Sequence, residues 1–358
     1  TFVRAAVVPA GPPTAAKPRR VPVAVLAVVG LCIAALLPLG ILALVNSPET
    51  APPTTVAAPP PHVEPKPELS AAGFNSGGVV SPGGLDAYRG MGAWIDLYDY
   101  VIRTQLDAAA TAADLKRRGV RTLYMQTGRW NIPADIANAS AASVIIEAAH
   151  AQGISVVGWY LPGFADLERD VRASLAVLSF RTPSGQGFDG FAADIEDNRA
   201  VGRRLAAFNA GVAAYSAKLR AEAPPGAVLG AIVPDAKNNL RAPGLWAGFP
   251  WPAIAHEYDV VMPMAYWSVV KRGCTAGTSN AEAYMREVMS LTQGQMGTSK
   301  PMHPIGGIAN CTTATEIEEY VNVGLEQGWI GGSIYDVLTT NANPHGEGMW
   351  QHLRRFNP

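Results

Sequence analysis

Asp194 and Glu196 lie two positions apart near the end of an otherwise largely apolar segment, FDGFAADIE, at residues 188–196. Side chains alternate between the two faces of a strand, so both acids and Ala192 share one face. The opposite face is apolar and suits contact with helices: Phe191, Ala193 and Ile195. Two close carboxyls cannot both ionise cheaply, so the pKa of one should rise. A carboxylic acid protonated near neutral pH can act as a general acid, and we expect Glu196 to do so. A buried ion pair with a basic residue is the alternative.

Eight short apolar runs, separated by helical segments, would place this pair on the fourth strand of a sheet. The runs are residues 92–98, 122–128, 154–160, 190–196, 228–235, 258–267, 302–310 and 331–337. Near-continuously apolar strands that alternate with helices indicate an α/β fold, a closed parallel (β/α)8 TIM barrel over residues 85–358. An open doubly wound sheet is the alternative, although no G-x-G-x-x-G follows the first run.

Polar side chains collect at the C-terminal ends of these runs, where TIM barrels place their active sites. They are Asp96, Gln126, Tyr160, Asp194, Glu196, Asp235, Tyr266, Asn310, Tyr335 and Asp336. Trp159 adds an aromatic ring of the kind that stacks on the apolar face of a sugar. The asymmetry between polar ends and apolar beginnings predicts a binding or catalytic face.

The fourth run resembles the D-x-x-D-x-D-x-E motif of the chitinase-like glycoside hydrolases of family 18. Asp189, Asp194 and Glu196 match that motif, whereas Ala192 replaces its second Asp. Met264–Tyr266 is similar to the M-x-Y motif of the same family. The resemblance implies that Glu196 is the acid/base, that Asp194 orients a substrate acetamido group, and that Tyr266 supports the reacting carbonyl.

Two further positions depart from the family 18 pattern. Gln126 begins a Q-T-G sequence where a Ser/Gly motif is expected, and Tyr335 stands where a Trp is usual. The D-x-E pair is also similar to that of the family 25 muramidases, which implies a role for Asp96.

Two mechanisms therefore stay open. In one, the N-acetyl oxygen of the sugar attacks; in the other, Asp235 or Asp336 serves as a second acid. The substrate would be a polysaccharide or peptidoglycan, and a catalytically inactive barrel that binds glycan or a partner protein is the alternative.

Residues 21–45 form an uncharged apolar run that is long enough to span a bilayer. Basic residues precede it, so we expect residues 1–20 to be cytoplasmic and the barrel to be extracellular. Residues 46–84 are rich in Pro and Gly and predict a linker. A cleaved signal peptide is the alternative, but its apolar core would be shorter.

Charge and cysteine content exclude several other functions. The formal net charge is −1, which gives no basic footprint for nucleic acid. No Cys or His spacing is typical of a metal site, so neither a metal nor another cofactor is predicted. Cys274 and Cys311 follow neighbouring strands, and in an oxidising compartment we expect them to form a disulfide, with two free thiols as the alternative.

Overall fold

The computed structural model describes residues 84–102, 107–237, 246–270 and 280–358. The expected cytoplasmic tail (1–20) and apolar anchor (21–45) lie outside the described residues, as does the linker up to residue 83. Among the helices in the described ranges, none has the length and apolar composition that a membrane crossing requires.

Eight parallel strands pair in sequential order and close into a barrel, in which β1 pairs with β8. Their bounds are Gly90–Ile95 (β1), Thr122–Arg129 (β2), Ser155–Leu161 (β3), Gly190–Asp194 (β4), Leu229–Val233 (β5), Val260–Ala265 (β6), Ile305–Ile308 (β7) and Gly331–Tyr335 (β8). The predicted TIM barrel is confirmed, and the open doubly wound sheet is excluded. Most strands end before the polar residues that close the predicted runs, because the chain leaves the sheet there to form the loops of the barrel mouth.

Helices follow the strands and surround the barrel. In the described part of the chain the α-helices are Ala108–Arg118 (α1), Ala139–Ala151 (α2), Leu167–Ser179 (α3), Leu205–Glu222 (α4), Trp251–Glu257 (α5), Ala281–Met296 (α6), Ala314–Glu326 (α7), Val337–Ala342 (α8) and Gly346–Leu353 (α9). The Asp107 side chain accepts a hydrogen bond from the N–H of Ala110 and so caps the start of α1. Gly119 ends α1 with a φ of 88°, a conformation that glycine adopts at little cost.

Apolar side chains form two layers, one inside the barrel and one between strands and helices. The inner layer includes Trp94, Tyr124, Val157, Trp159, Ala192, Ile232, Met262 and Met264. The outer layer contains the alternate residues of the fourth strand region, namely Phe191, Ala193 and Ile195. The predicted facing of these apolar side chains is therefore confirmed, and it follows from the two-residue period of a strand.

Tyr88 fills the N-terminal end of the barrel. It ends the short 3₁₀ turn Gly84–Tyr88 and is fully buried. Its hydroxyl lies 2.7 Å from the carbonyl oxygen of Phe191 and 3.0 Å from that of Val228, and it accepts a hydrogen bond from the N–H of Phe191. The Nδ1 atom of His303 lies 2.7 Å from the carbonyl oxygen of Tyr88. This end of the barrel is therefore tied to backbone groups of several elements.

Candidate active site

Asp194 and Glu196 meet at the mouth of the barrel. Asp194 is the last residue of β4 and is 7 % exposed, and Glu196 follows it two positions later, partly buried. The residue between them, Ile195, packs in the outer layer, so both carboxyls take the inner side. The strand thus brings together the two acids that the sequence singles out.

Burial raises the pKa of both carboxyls. For Asp194, burial acts first, then the neighbouring charges of Glu196 and Asp197. For Glu196, burial and then Asp197 raise the pKa to about 7, although Arg199 acts in the opposite direction. A carboxyl with this pKa keeps a proton near neutral pH and can also release it, as a general acid must.

One polar atom of Asp194 and one of Trp159 have no hydrogen-bond partner among the described residues. The Oδ1 atom of Asp194 and the Nε1 atom of Trp159 are buried, and no described residue offers either of them a hydrogen bond. Trp159 belongs to the inner layer and is 5 % exposed. Buried polar atoms without partners are costly, so these two atoms offer an acceptor and a donor for a ligand in the mouth.

Tyr266 lies beside the acid pair, just after β6. Burial raises the pKa of its hydroxyl well above the usual value, and the charges of Glu196, Asp194 and Asp336 raise it further. The hydroxyl is therefore protonated and able to donate a hydrogen bond. Met264, two residues earlier, faces the barrel interior and is 7 % exposed. The M-x-Y sequence thus places its aromatic ring next to the carboxyls.

Asp96 and Tyr335 join the first and last strands across the closure of the barrel. The Tyr335 hydroxyl donates to Oδ2 of Asp96 at 2.8 Å, and the N–H of Tyr98 donates to Oδ1 at 2.7 Å. Burial and the Asp96 charge raise the pKa of Tyr335 well above its usual value. Both residues lie at the mouth, where they hold each other in place.

Asp336 and Gln126 are near the mouth but have structural partners. Oδ1 of Asp336 accepts hydrogen bonds from the N–H of Thr339 at 2.9 Å and from its hydroxyl at 3.0 Å, which caps α8. Oε1 of Gln126 accepts a hydrogen bond from the N–H of Leu97 at 3.1 Å. Each side chain therefore fixes a segment of the mouth through its hydrogen bonds.

Tyr160 does not face the substrate side that the sequence analysis expected. Its ring packs in the outer layer, and its hydroxyl donates to Oδ1 of Asp170 on α3 at 2.8 Å. Because Trp159 faces the barrel interior, its neighbour along the strand must face the helices. We therefore correct the assignment of Tyr160 from a substrate contact to a contact between strand and helix.

Asp235 contacts a helix on the outer side of the sheet. The apolar residues of β5 that share its parity, Leu229, Ala231 and Val233, lie in the outer layer. The carboxylate of Asp235 accepts hydrogen bonds from the N–H of Lys237 at 2.7 Å and from the Tyr284 hydroxyl on α6. The predicted second acid thus connects the chain after β5 to α6, and its catalytic role stays a prediction.

The remaining predicted residues lie after β7 and β6. Asn310 is exposed in the short turn Ala309–Cys311. Cys311 is disulfide-bonded. Cys274, its expected partner, lies outside the described residues, so this pairing stays a prediction.

Sequence reasoning missed a charged group beside the acids. The Asp197 carboxylate accepts hydrogen bonds from Nε1 of Trp130 at 2.9 Å and from the Arg199 side chain. The direct succession of Asp197 after Glu196 was the available signal. No cluster of three or more metal-binding side chains occurs within the described ranges.

Comparisons with known proteins agree with the fold. No protein-family model matches the chain, and no curated protein sequence matches it. Among solved structures, a chitinase from Bacteroides thetaiotaomicron is similar at 10 % identity and a TM-score of 0.55, over 75 % of this chain and 96 % of that one.

The spore cortex-lytic enzyme SleL of Bacillus cereus is similar at 12 % identity and a TM-score of 0.53, over 74 % and 73 % of the two chains. An endo-1,4-beta-mannanase from Rhizomucor miehei is similar at 10 % identity and a TM-score of 0.56, over 75 % and 94 %. The chain therefore shares the TIM-barrel fold of these enzymes.

Proposed function

We propose that this protein is a glycoside hydrolase that cleaves a polysaccharide or cell-wall glycan, with Glu196 as its general acid. The observation that carries the proposal is the position of Glu196 at the mouth of the barrel, where burial and Asp197 raise its pKa to about 7. The mouth is where TIM-barrel enzymes place their chemistry. The similar solved structures include enzymes named for chitin, mannan and spore cortex, which agrees with this substrate class.

The unpartnered Oδ1 atom of Asp194 and the nearby Tyr266 hydroxyl favour a substrate that carries an N-acetyl group. The buried Oδ1 of Asp194 can accept a hydrogen bond from the acetamido N–H, and the Tyr266 hydroxyl can donate one to the acetamido carbonyl. That carbonyl oxygen then attacks the anomeric carbon while Glu196 gives its proton to the leaving glycosidic oxygen. Water completes the hydrolysis and returns a proton to Glu196.

A route through a second acid has less support. Asp235 is bonded to Tyr284 on the helix side of the sheet, and Asp336 caps α8. Asp96 is bonded to Tyr335 and to the N–H of Tyr98. These carboxylates have structural partners, whereas Asp194 has an open acceptor beside Glu196. We therefore propose the substrate-assisted mechanism.

We further propose that residues 21–45 anchor the protein in the cell membrane, with the catalytic domain outside. The uncharged run and the basic residues before it support this placement. The second candidate function is a catalytically inactive barrel that binds glycan or a partner protein. Ala192, which stands in the barrel interior where family 18 has a carboxylate, favours that candidate.

The test is hydrolysis of N-acetylated and non-acetylated polysaccharides and of peptidoglycan by the purified full chain. The matched variant is Glu196→Gln, which keeps the shape of the side chain and removes its titration. We expect wild type to cleave an N-acetylated glycan and the variant to be slower by at least about 10²-fold. Equal rates for both proteins would reject Glu196 as the acid. Binding of a glycan by both, without cleavage by either, would establish the inactive barrel.

A further inference from the structure

Asp197 lies in a fixed position beside the proposed acid. It follows Glu196 at the start of the connection from β4 to α4, and its side chain is 5 % exposed. Oδ1 accepts a hydrogen bond from the N–H of Arg199 at 2.9 Å, and the Arg199 side chain reaches both carboxylate oxygens at 2.5–2.9 Å. Nε1 of Trp130 donates to Oδ2 at 2.9 Å. The carboxylate is therefore held on two sides.

Trp130 makes this position rigid because its own loop is tied down. The N–H of Trp130 donates to the carbonyl of Leu161 at 2.9 Å, and the Arg169 guanidinium donates to the carbonyls of Trp130 and Ile132. The loop after β2 is thus joined to the end of β3, to α3 and, through the Trp130 indole, to Asp197.

The same hydrogen bonds keep Asp197 ionised. Burial alone would raise its pKa, but the donors on Arg199 and Trp130 outweigh burial and lower it. An anion one residue away disfavours the ionised form of Glu196, whereas the Arg199 cation favours it. Asp197 and Arg199 therefore act on the proton of Glu196 in opposite directions.

The other groups around Glu196 have different effects. Asp194 has a raised pKa that depends in part on Glu196, and Tyr266 is protonated, with Asp336 beyond it. Nε1 of Trp246 donates to the backbone carbonyl of Glu196 at 3.3 Å and carries no charge. Among the described residues, Arg199 is the cation that acts on the Glu196 carboxyl.

We propose that Asp197 and Arg199 are positioning residues that together set the pH range in which Glu196 works as the acid. Asp197 retains the proton on Glu196 and Arg199 promotes its release, and the hydrogen bond from Trp130 keeps the pair in place. This inference rests on the proposed function, because it concerns the role of Glu196 as the acid. In this proposal Asp197 and Arg199 act through the proton of Glu196 and do not touch the substrate.

The experiment compares Asp197→Asn and Arg199→Gln in the full chain. For each protein we would measure the pH profile of kcat/KM on the glycan that wild type cleaves. We would also follow the Glu196 carboxyl directly, by carbon-13 NMR of labelled glutamate, with Glu196→Gln to identify its signal. We expect the alkaline limb and the NMR titration to move down by about one pH unit in Asp197→Asn and up in Arg199→Gln.

The controls separate electrostatics from loop structure. Arg199→Lys keeps the positive charge, so the alkaline limb of the pH profile should stay near its wild-type position. Trp130→Phe keeps the charges of both Asp197 and Arg199, so it should move that limb by less than about one pH unit. The Arg199 side chain is 47 % exposed, so the Arg199 variants test the sign even if Asp197→Asn does not fold.

The outcomes are distinct. Opposite shifts support the proposal, and shifts in one direction or an unchanged Glu196 titration overturn it. Opposite NMR shifts without hydrolysis by any protein support the proposal about the pair and overturn the proposed function.

Discussion

The N-terminal end of the barrel and its mouth each bury a titratable side chain, His303 at one end and Glu196 at the other. Burial lowers the pKa of His303 to about 4, and it raises the pKa of Glu196 to about 7 with help from Asp197. The physical cause is the same, because a low dielectric disfavours the charged form of either group. The pKa of the histidine is thereby shifted away from neutral pH, and the pKa of the glutamate is shifted towards it. Of these two groups, Glu196 is therefore the one that exchanges its proton near pH 7.

Hydrogen bonding differs between the two ends as well. The Tyr88 hydroxyl bonds to backbone groups of Phe191 in β4 and of Val228 just before β5, and the Tyr88 carbonyl is paired with His303. The Nε2 atom of His303 has no hydrogen-bond partner among the described residues. Because the ring is neutral and Nδ1 faces the Tyr88 carbonyl, Nε2 carries only an unshared lone pair and no N–H. At the mouth, Asp194 and Trp159 leave an acceptor and a donor unused. The N-terminal end is therefore tied to backbone groups, whereas the mouth keeps the unused acceptor and donor on which the proposed function depends.

Replacing Tyr88 should give the largest effect on stability and leave catalysis nearly intact. Tyr88→Ala removes a fully buried ring and its hydrogen bonds, so we expect the free energy of unfolding to fall by about 3–5 kcal/mol in urea titrations. Tyr88→Phe, which loses only the hydroxyl, should cost about 1–3 kcal/mol. A large fall in kcat of the folded Tyr88→Phe protein would break the division between the two ends.

The pH dependence of stability should reveal His303. Its folded pKa of about 4 lies below 6.5, the ordinary value for a histidine. Between pH 6.5 and pH 4 the unfolded chain therefore binds a proton at His303 that the native state does not bind. The free energy of unfolding falls as the pH is lowered through this range. The loss should reach about 3 kcal/mol. His303→Gln, which keeps a donor for the Tyr88 carbonyl, should remove this slope, and an unchanged slope in the variant would contradict the assignment.

Glu196 should show the opposite slope. Its folded pKa of about 7 exceeds 4.5, the ordinary value for a glutamate, so between these pH values the native state holds a proton that the unfolded chain has released. The contribution of Glu196 to stability is complete below pH 4.5 and is lost as the pH rises through 7. Glu196→Gln should therefore stabilise the protein by about 3 kcal/mol at pH 8 relative to wild type, and by little at pH 4. Equal unfolding free energies at pH 8 would show that the acid is not destabilised by burial.

The neighbours Trp159 and Tyr160 provide the smallest and most local test. Trp159→Phe removes the N–H that faces the mouth, so kcat/KM should fall about 5- to 10-fold, the equivalent of about 1 kcal/mol. Tyr160→Phe removes the hydrogen bond to Asp170 and should cost about 1 kcal/mol of unfolding free energy, with kcat/KM unchanged. The reverse pattern would return Tyr160 to the substrate side.

The fold and the central acids were predictable because they follow from short-range periodicity. The eight apolar runs specify the strands, and the period of two places Asp194 and Glu196 on one side of β4. The same period, applied consistently, also excludes Tyr160 from the barrel interior once Trp159 is placed there. That assignment was wrong because residue type was weighed above position along the strand.

Other features depend on contacts that no local pattern encodes. Trp130 meets Asp197 across 67 positions, and Tyr284 meets Asp235 across 49. Loop conformations and helix packing decide such contacts, and both depend on the whole barrel. The sequence could thus predict which residues end the strands, but it could not predict which of them find a partner.

The closure of β1 against β8 also bears on how the chain is made. Gly90 donates a hydrogen bond to Ile330, and the N–H of Met91 donates to the side chain of Asn357. Because β1 is synthesised before the other strands, one of its edges stays unpaired until residues 330–357 have been synthesised. An unpaired edge can pair with other chains. Among the eight strands, β1 is therefore the one whose edge stays unpaired longest during synthesis.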